Sequence, residues 1–444
     1  MKYLRVNKDR FGRVRLTEEN EVAKNLKERV LIIDTNLAFD HAMRFVEEGL
    51  DAYYWIANLS AFPSFDDQIS GDGFGLSKID DWGEVIDKVG LVYITDNCFP
   101  QLTMRLRELG KNVYGPTPEF VRWEQDRGYG YLKMKSRGIA VPDGAVVKGK
   151  TKLLEWLEGN LSEGERVWVK ISAFRGNIET FSVSSAQEAD TMLSQAGFGP
   201  YAEELEFLLE KNVDGVEIGC DGWVVPDGVL EPIAFTLEEK GRGNIAVFQR
   251  NSDFIDEWYS KVHDVVESTD YRCNLSVEGI WNGKELSVLE PTPRNPYPVS
   301  SLYPRFVKNW VDVAWGVAEG KLVDVEVDWD NPYLMELTVG TSDTDTWRVI
   351  DGVEDLVSWT DEGIGFRKVV KKDGQYWFVP GDGIVATVNV KGASVDECIE
   401  KAKEMADKVQ CMGSEYDGTI AESMKEKIEK LNKGDKFQFV VKEG

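Results

Sequence analysis

The residues of this chain best suited to handling phosphate are two glutamates and an arginine gathered at one hairpin. The stretch from Tyr271 to Pro298 reads YRCNLSVEGIWNGKELSVLEPTPRNPYP, two apolar strands around a turn at Asn282-Gly283. Glu278 lies on the incoming strand, Glu290 ends the returning one, and Arg294 follows four residues later. Mg²⁺ takes carboxylate oxygens and completes its shell with substrate phosphates, and arginine offsets charge on a phosphoryl group in transfer. Register decides whether the acids meet. A two-residue turn at Asn282-Gly283 pairs Glu278 with Ser287 and sends Glu290 to the opposite face. A three-residue turn, Asn282 to Lys284, pairs Glu278 with Val288 and puts both glutamates on one face. The second register is the expectation; the bland alternative is a solvated hairpin with scattered acids.

The elements that position this hairpin begin with strand and helix in alternation. Arg29 to Asp34 (RVLIID) reads as a buried parallel strand, Asp40 to Glu48 as a helix, and Ala52 to Ile56 as the next strand. Leu91 to Thr95 is a further strand, Gln101 to Leu109 a helix, and Asn112 to Tyr114 a short last strand. That order predicts an open parallel α/β sheet. The segment from Phe62 to Trp82, rich in Gly, Asp and Ser, reads as a loop, and residues 1–28 as a charged extension. A second region starts near Trp123. Glu124 to Arg137 reads as one helix, Val167 to Ile171 (VWVKI) as a strand with a site-facing Lys170, and Phe207 to Glu210 and Gly215 to Ile218 as two more strands. The last region, 331–444, is β-rich through Ile384 to Val390 and then helical over Val395 to Met405.

Composition excludes several classes. With 444 residues, 42% of them hydrophobic, the chain has the material for two to four domains. A net charge of −26 disfavours nonspecific attachment to nucleic-acid phosphates or anionic membranes. The five cysteines (Cys98, Cys220, Cys273, Cys398 and Cys411) form no CxxC pair, which points to free thiols in a reducing compartment. No signal peptide or long apolar run is evident, and the expectation is a soluble, cytoplasmic protein. With only His41 and His263, a Ser/His triad or a histidine metal centre is not expected. The tryptophans, Trp168 and Trp223 among them, read as packing residues.

One motif points elsewhere. Gly144 to Thr151 (GAVVKGKT) satisfies GxxxxGK[ST], with Lys150 as the phosphate lysine of a P-loop NTPase. A P-loop follows a buried strand and wraps anions with backbone amides. Here Pro142 interrupts the preceding strand, and Val146 and Val147 suit extended chain. The match is read as coincidence.

Lys170, Glu210-Lys211, Glu217, Lys240, Glu278, Glu290 and Arg294 occur in an order that resembles the ATP-grasp superfamily. The chain from about Val30 onward is similar to a divergent phosphoribosylamine–glycine ligase (glycinamide ribonucleotide synthetase). WEQDRGYGYLKMKSRGIAVP resembles the helix leading into that family's ATP-binding domain, with Arg127 where the family usually has a phosphate-binding lysine. VWVKI resembles the second such position, at Lys170. AFRGNIET resembles the loop over the phosphates, with Arg175, Gly176 and Asn177 nearest the anions. FLLEKNVDGVEI is similar to the adenine hinge at Glu210 and Lys211 followed by a ribose-binding acid at Glu217, and LEEKGRGN to the segment carrying a catalytic-loop lysine, Lys240. Glu278 and Glu290 match the metal-binding acids. Where the family has Glu-x-Asn-x-Arg, this chain has Glu290-Pro-Thr292-Pro-Arg294, so Thr292 stands in the third metal position. GIVATVNVKGASVDECIEKAKEMADKV resembles the C-terminal strand–turn–helix.

The resemblance implies an α/β fold in parts: an N-terminal open parallel pre-ATP-grasp domain (29–122), an ATP-grasp domain (123–330) with a small β-rich lid (about 143–212), and a C-terminal α+β domain (331–444). It implies ATP and Mg²⁺ as cofactors. Arg294 would steady an acyl phosphate made from a small carboxylate, an amino acid by analogy, before a small amine or nucleotide acceptor displaces phosphate. Nucleic acid would enter only as a modified substrate. Divergent ligases of this kind also resemble those encoded by phages, for which the compartment is the host cytoplasm. The family's first strand opens into a glycine-rich turn that receives the phosphoribosyl group; here Asp34 to His41 (DTNLAFDH) has no glycine, and the loop after Lys240 is eroded to Gly241-Arg-Gly-Asn-Ile-Ala. Both argue against glycinamide ribonucleotide as the product. A competing reading is a binding protein that keeps the fold without turnover.

Overall fold

The structure, a computed structural model, describes residues 26–57, 69–172, 180–250, 253–381 and 383–432. Its first sheet is built on β1 (Arg29–Asp34), whose residues Val30 to Ile33 are fully buried. Apolar side chains on both faces of a strand suit a parallel sheet covered on both sides. β1 pairs in parallel with β2 (Asp51–Ile56) and β4 (Leu91–Ile94), and β3 (Ser77–Lys78) and β5 (Asn112–Tyr114) complete the order β3-β2-β1-β4-β5. The open parallel α/β sheet expected from the sequence is present, and the strand order reverses between β1 and β4. The crevice at the carboxyl ends of those two strands is where ligands sit in sheets of this kind. Part of the loop expected from Phe62 to Trp82 lies outside the described residues, and Ser77–Lys78 within it is a short strand on β2.

His41, on the helix Phe39–Glu47, is buried against Tyr93, whose hydroxyl lies 2.8 Å from Nδ1. Burial pushes its pKa down to about 3. The unfolded chain binds a proton here near pH 6.5 and the folded chain does not, so stability is full above that pH and falls below it. Between pH 6.5 and 5 the loss is about 2 kcal/mol. His41→Gln is expected to flatten this acid limb in urea-unfolding titrations relative to the wild type.

Where a single helix over Glu124 to Arg137 was expected, the chain forms two, Pro118–Gln125 and Arg127–Ser136. Asp126 breaks them, its carboxylate accepting the Tyr129 amide at 3.1 Å as an N-cap. Gly130 must be glycine, because a Cβ there would meet the Trp123 carbonyl oxygen at 2.0 Å.

A four-stranded antiparallel sheet follows, from β6 (Gly144–Lys148), β7 (Val167–Ile171), β8 (Thr180–Val183) and β9 (Glu206–Lys211), in the order β6-β9-β7-β8. It closes over its own apolar cluster, which includes Leu153, Leu157, Val169, Phe207 and Leu209. The GxxxxGK[ST] string is therefore strand β6, not a loop: Gly144 to Lys148 pair residue by residue with Glu210 to Glu206. Gly149 turns at φ +92°, the helix Lys150–Asn160 begins, and Lys150 forms an ion pair with Asp190. An extended strand cannot wrap an anion, and the P-loop reading is set aside.

The largest sheet has ten strands and is antiparallel. β10 (Val216–Val225), with the short β11 (Gly228–Val229) folded back on it, pairs with β12 (Ile233–Glu239) on one side and β14 (Cys273–Trp281) on the other. The path runs from β15 (Leu286–Thr292) through β14, β10, β12 and β13 (Gly243–Gln249) to β16 (Tyr333–Thr341), then to the strands Ile384–Gly392 and Gly363–Gly365. The C-terminal region thus extends the same sheet. The helix Val395–Ala406 follows, as the sequence predicts. Residues 212–215 carry the chain from β9 in the small sheet to β10 in the large one.

Candidate active site

The register of the large sheet sets the site. Trp281 pairs with Leu286, so the turn has four residues, with Asn282 Oδ1 accepting the Lys284 and Glu285 amides at 2.9 Å each. The expected three-residue turn and its Glu278–Val288 pair are thereby corrected: Val288 sits opposite Gly279. Continued unchanged, this register would place Glu278 opposite Leu289 and turn Glu290 away. A bulge at Leu289 shifts it by one, and Glu278 faces Glu290 directly. The two acids share a face, as expected, but through a bulge rather than through the turn. Directly opposed side chains have Cβ atoms about 5 Å apart.

Neighbouring rows continue across the sheet on that face. Glu278 is opposite Gly219, and Gly219 opposite Thr236; Asp221 is opposite Ser276, and Ser276 opposite Thr292. Glu238 is opposite Asn244, and Asn244 opposite Glu336. Gly219 keeps the floor low, since a Cβ there would meet Thr236 Oγ1 at 2.2 Å.

Between this face and the small sheet lies a cavity of about 400 Å³. Eight of the residues singled out in the sequence line it: Arg127, Lys170, Glu210, Lys211, Glu217, Lys240, Glu278 and Glu290. Arg294 and Thr292 sit behind Glu278. Arg175, Gly176 and Asn177 fall in 173–179, outside the described residues. Trp168, expected to be a packing residue, lines the cavity and is 39% exposed. The signal was available: Trp168 and Lys170 are two apart on one strand and must share a face.

Each cation of the cavity has an acid against it. Lys170 Nζ meets Glu210 Oε2 at 2.7 Å, both side chains almost wholly buried. Arg127 is paired with Glu290 across the mouth of the cavity. Lys240, largely exposed, lies 3.8 Å from Glu217. Arg294 donates to Glu124 at 2.9 Å and lies 3.4 Å from Asp96. Burial opposes the charge on Arg294, but Glu124, Asp96 and Glu278 outweigh it and hold the guanidinium more firmly protonated than usual. Thr292 is buried and its hydroxyl donates to Glu278 Oε1 at 2.9 Å, so in this arrangement it orients that carboxylate. Burial raises the Glu278 pKa, opposed by the Thr292 bond and reinforced by Glu217.

The peptide at the hinge is partly committed. The Lys211 amide donates to the Asp143 carbonyl at 2.7 Å and the Asn212 amide to that of Arg166 at 3.0 Å. Val213 also lines the cavity. Among the described residues no cluster of three or more His, Cys, Asp or Glu could hold a metal by itself. A pair of opposed carboxylates still fits Mg²⁺ in one respect: this ion is commonly held by one or two carboxylates together with substrate phosphates.

Sequence reasoning did not single out the residues that support Arg294. Asp96 and Glu124 come from the end of β4 and from the helix Pro118–Gln125, and Asn97 Nδ2 donates to Glu124 at 2.5 Å. Nor did it single out Asp221, Glu238 and Asn244, which together with Glu217, Lys240 and Glu278 line a second cavity of about 330 Å³ on the same sheet face. Register alone could have found Asp221, since Glu217, Gly219 and Asp221 alternate along β10.

A small antiparallel sheet facing a larger one across a cavity, preceded by an open parallel sheet, is the architecture of the ATP-grasp fold, and the chain has it. Solved structures agree. Phosphoribosylamine–glycine ligase from Thermotoga maritima superposes with a TM-score of 0.68 at 18% identity, covering 88% of this chain and 99% of that one. The biotin carboxylase domain of Hydrogenobacter thermophilus 2-oxoglutarate carboxylase, in complex with MgADP and bicarbonate, gives 0.61 at 13%, covering 87% and 91%. N5-carboxyaminoimidazole ribonucleotide synthetase from Thermotoga maritima gives 0.56 at 15%, covering 86% and 99%. No family model matches the sequence, and no curated protein does. Among the described residues no helix is long and apolar enough to cross a membrane.

Proposed function

We propose that the protein is an ATP-dependent carboxylate–amine ligase, soluble in a reducing cytoplasm, and that its product is not glycinamide ribonucleotide. The observation that carries the reading is the cavity between the two sheets, where Lys170 and Arg127 face the opposed pair Glu278 and Glu290. In the reaction, a substrate carboxylate oxygen attacks the γ-phosphorus of ATP, the bond to the bridging oxygen breaks, and ADP leaves. An amine then attacks the acyl carbon, phosphate departs, and the amine loses a proton to leave an amide.

In this chain Lys170 and Arg127 would offset the charge of the β- and γ-phosphates. Trp168 and Val213 would supply an apolar wall for the adenine, with Glu217 at the ribose hydroxyls. Glu278, oriented by Thr292, and Glu290 would hold Mg²⁺, which neutralises phosphate oxygens when bound. Arg294, fixed by Asp96 and Glu124, would face the acyl phosphate. The likeness to enzymes that include a MgADP complex supports this reading, as do the five free cysteines for the compartment.

The phosphoribosyl turn supports the negative half. At the end of β1 the Asp34 carboxylate accepts the amides of Thr35 (2.9 Å), Leu37 (3.3 Å) and Ala38 (3.1 Å). Amides at the start of a helix are the groups that would receive a phosphate, and here a buried carboxylate already takes them.

The test is ADP release from Mg-ATP across the amino acids, with and without amines. Release that requires one acid, with the amide formed in the presence of an amine, is the expected result. ATP binding with no ADP release on any pair would favour a binding protein that keeps the fold without turnover.

A further inference from the structure

The second cavity shares Glu217, Lys240 and Glu278 with the first and lies on the same sheet face, toward the C-terminal region. Its wall carries two deeply buried acceptors. Asp221, 2% exposed, receives the Tyr303 hydroxyl on Oδ2, while its Oδ1 has no hydrogen-bond partner among the described residues. Asn244, 1% exposed, gives its Nδ2 to Glu336 at 3.3 Å, and its Oδ1 is likewise unpartnered among them. Asp221 Oδ1 is directed along the strand face, 3.6 Å from where a Cβ of Gly219 would stand. Glu238 completes the wall and Glu278 adjoins it.

A buried acceptor without a donor is costly, and more so when it is charged. Two of them, lining one cavity among acids, call for a ligand that brings several N–H donors and positive charge. A carboxylate or phosphate would meet the acids Glu217, Asp221, Glu238, Glu239 and Glu278 there. The cavity's own cations do not reverse this. Arg242 is held by Asp417 and Glu239, Lys427 by Glu239, and Lys240 lies over Glu217.

We propose that this cavity is the binding site of the amine substrate, a primary amine entering as its ammonium form and held by Asp221 Oδ1, Asn244 Oδ1 and Glu238. The assignment rests on the ligase reading for the word substrate but not for the binding itself. The amine nitrogen would wait beside Glu278, on the far side of the shared wall from the nucleotide cavity. A proton must leave the ammonium before attack, and the carboxylates of the wall are the groups in place to take it.

The test is calorimetric titration of the whole protein, without ATP, using 1,4-diaminobutane as probe and succinate as its anionic counterpart. Saturable binding of the diamine and none of succinate is expected. Asp221→Asn and Glu238→Gln should each weaken diamine binding about tenfold or more. Lys148→Ala, an exposed residue of the small sheet, should leave it unchanged. Glu238→Gln is the safeguard if Asp221→Asn fails to fold, because the Glu238 side chain keeps an open edge to solvent. Diamine binding indifferent to both substitutions, preference for succinate, or Mg²⁺ competing the diamine away from the wild type would each overturn the assignment. Because no turnover is read, failure of the ligase reading would show separately, as diamine binding in a protein that never releases ADP.

Discussion

Glu290→Ala is expected to abolish acid-dependent ADP release while tightening the binding of ATP in the absence of Mg²⁺. The two halves follow from one contact. Arg127 is paired with Glu290 in the free protein, so a phosphate reaching for Arg127 competes with a carboxylate of the chain itself. On the proposed reading, Mg²⁺ held by Glu290 would withdraw the competitor and leave the guanidinium available to the nucleotide. Metal and nucleotide binding would then be coupled through this exchange, and such coupling is reciprocal. Removing the carboxylate takes that competitor away permanently. Metal-free ATP should then bind tighter, since the carboxylate of the pair, whose side chains are 17% and 24% exposed, no longer competes for the guanidinium. Turnover should fall by about 100-fold or more, the scale seen when one preorganised charged group is lost from a transition state. Arg127→Ala should lose nucleotide affinity with or without metal. Isothermal titration at zero and saturating Mg²⁺, beside an ADP-release assay, separates the cases. Unchanged metal-free affinity in Glu290→Ala would show that the Arg127–Glu290 pair does not gate the site.

The order of strands and helices in the first third was legible because parallel strands are short, apolar and separated by amphipathic helices. β5, predicted at Asn112 to Tyr114, is found there. The helix break at Asp126 was not legible from periodicity. It depends on a carboxylate capping the second helix and on Gly130 lying against the Trp123 carbonyl, a tertiary contact. The hairpin shows the same limit at closer range. Which residues could serve was plain from their types, but the bulge that brings Glu278 opposite Glu290 leaves no mark in a pattern of apolar and polar letters. The face of β14 was inferred correctly from a register that is itself incorrect.

The partners of the cations were the least visible part of the site. Glu210 was singled out for its backbone at the adenine hinge, yet its side chain is the counter-charge of Lys170. Asp96 and Glu124, which hold Arg294, are 198 and 170 residues from it in the sequence. No local spacing connects them. Asp34 is a related case: the absence of glycine at the end of β1 was legible, but not that a carboxylate would occupy the turn.

The pair Lys170–Glu210 gives the second large effect, and it separates folding from chemistry. Both groups are almost wholly buried, at 9% and 2% side-chain exposure, on adjacent strands of the small sheet. Removing one partner of such a pair costs about 3–5 kcal/mol, because the other charge is left without compensation. Lys170→Ala is therefore expected to destabilise the small sheet as well as to weaken ATP binding, and loss of activity in that variant alone would not identify a phosphate ligand. The double variant Lys170→Met, Glu210→Leu resolves the ambiguity. Replacing a buried ion pair with apolar side chains of similar volume is often neutral or stabilising, so hydrogen-exchange protection across β7 and β9 should return to the wild-type level. ATP binding should not return with it, since nothing in the double variant supplies the charge that Lys170 would give the phosphates. Recovery of both would make the pair a structural one, with the nucleotide's phosphates met by Arg127 instead; recovery of neither would mean that the small sheet needs the ion pair to fold.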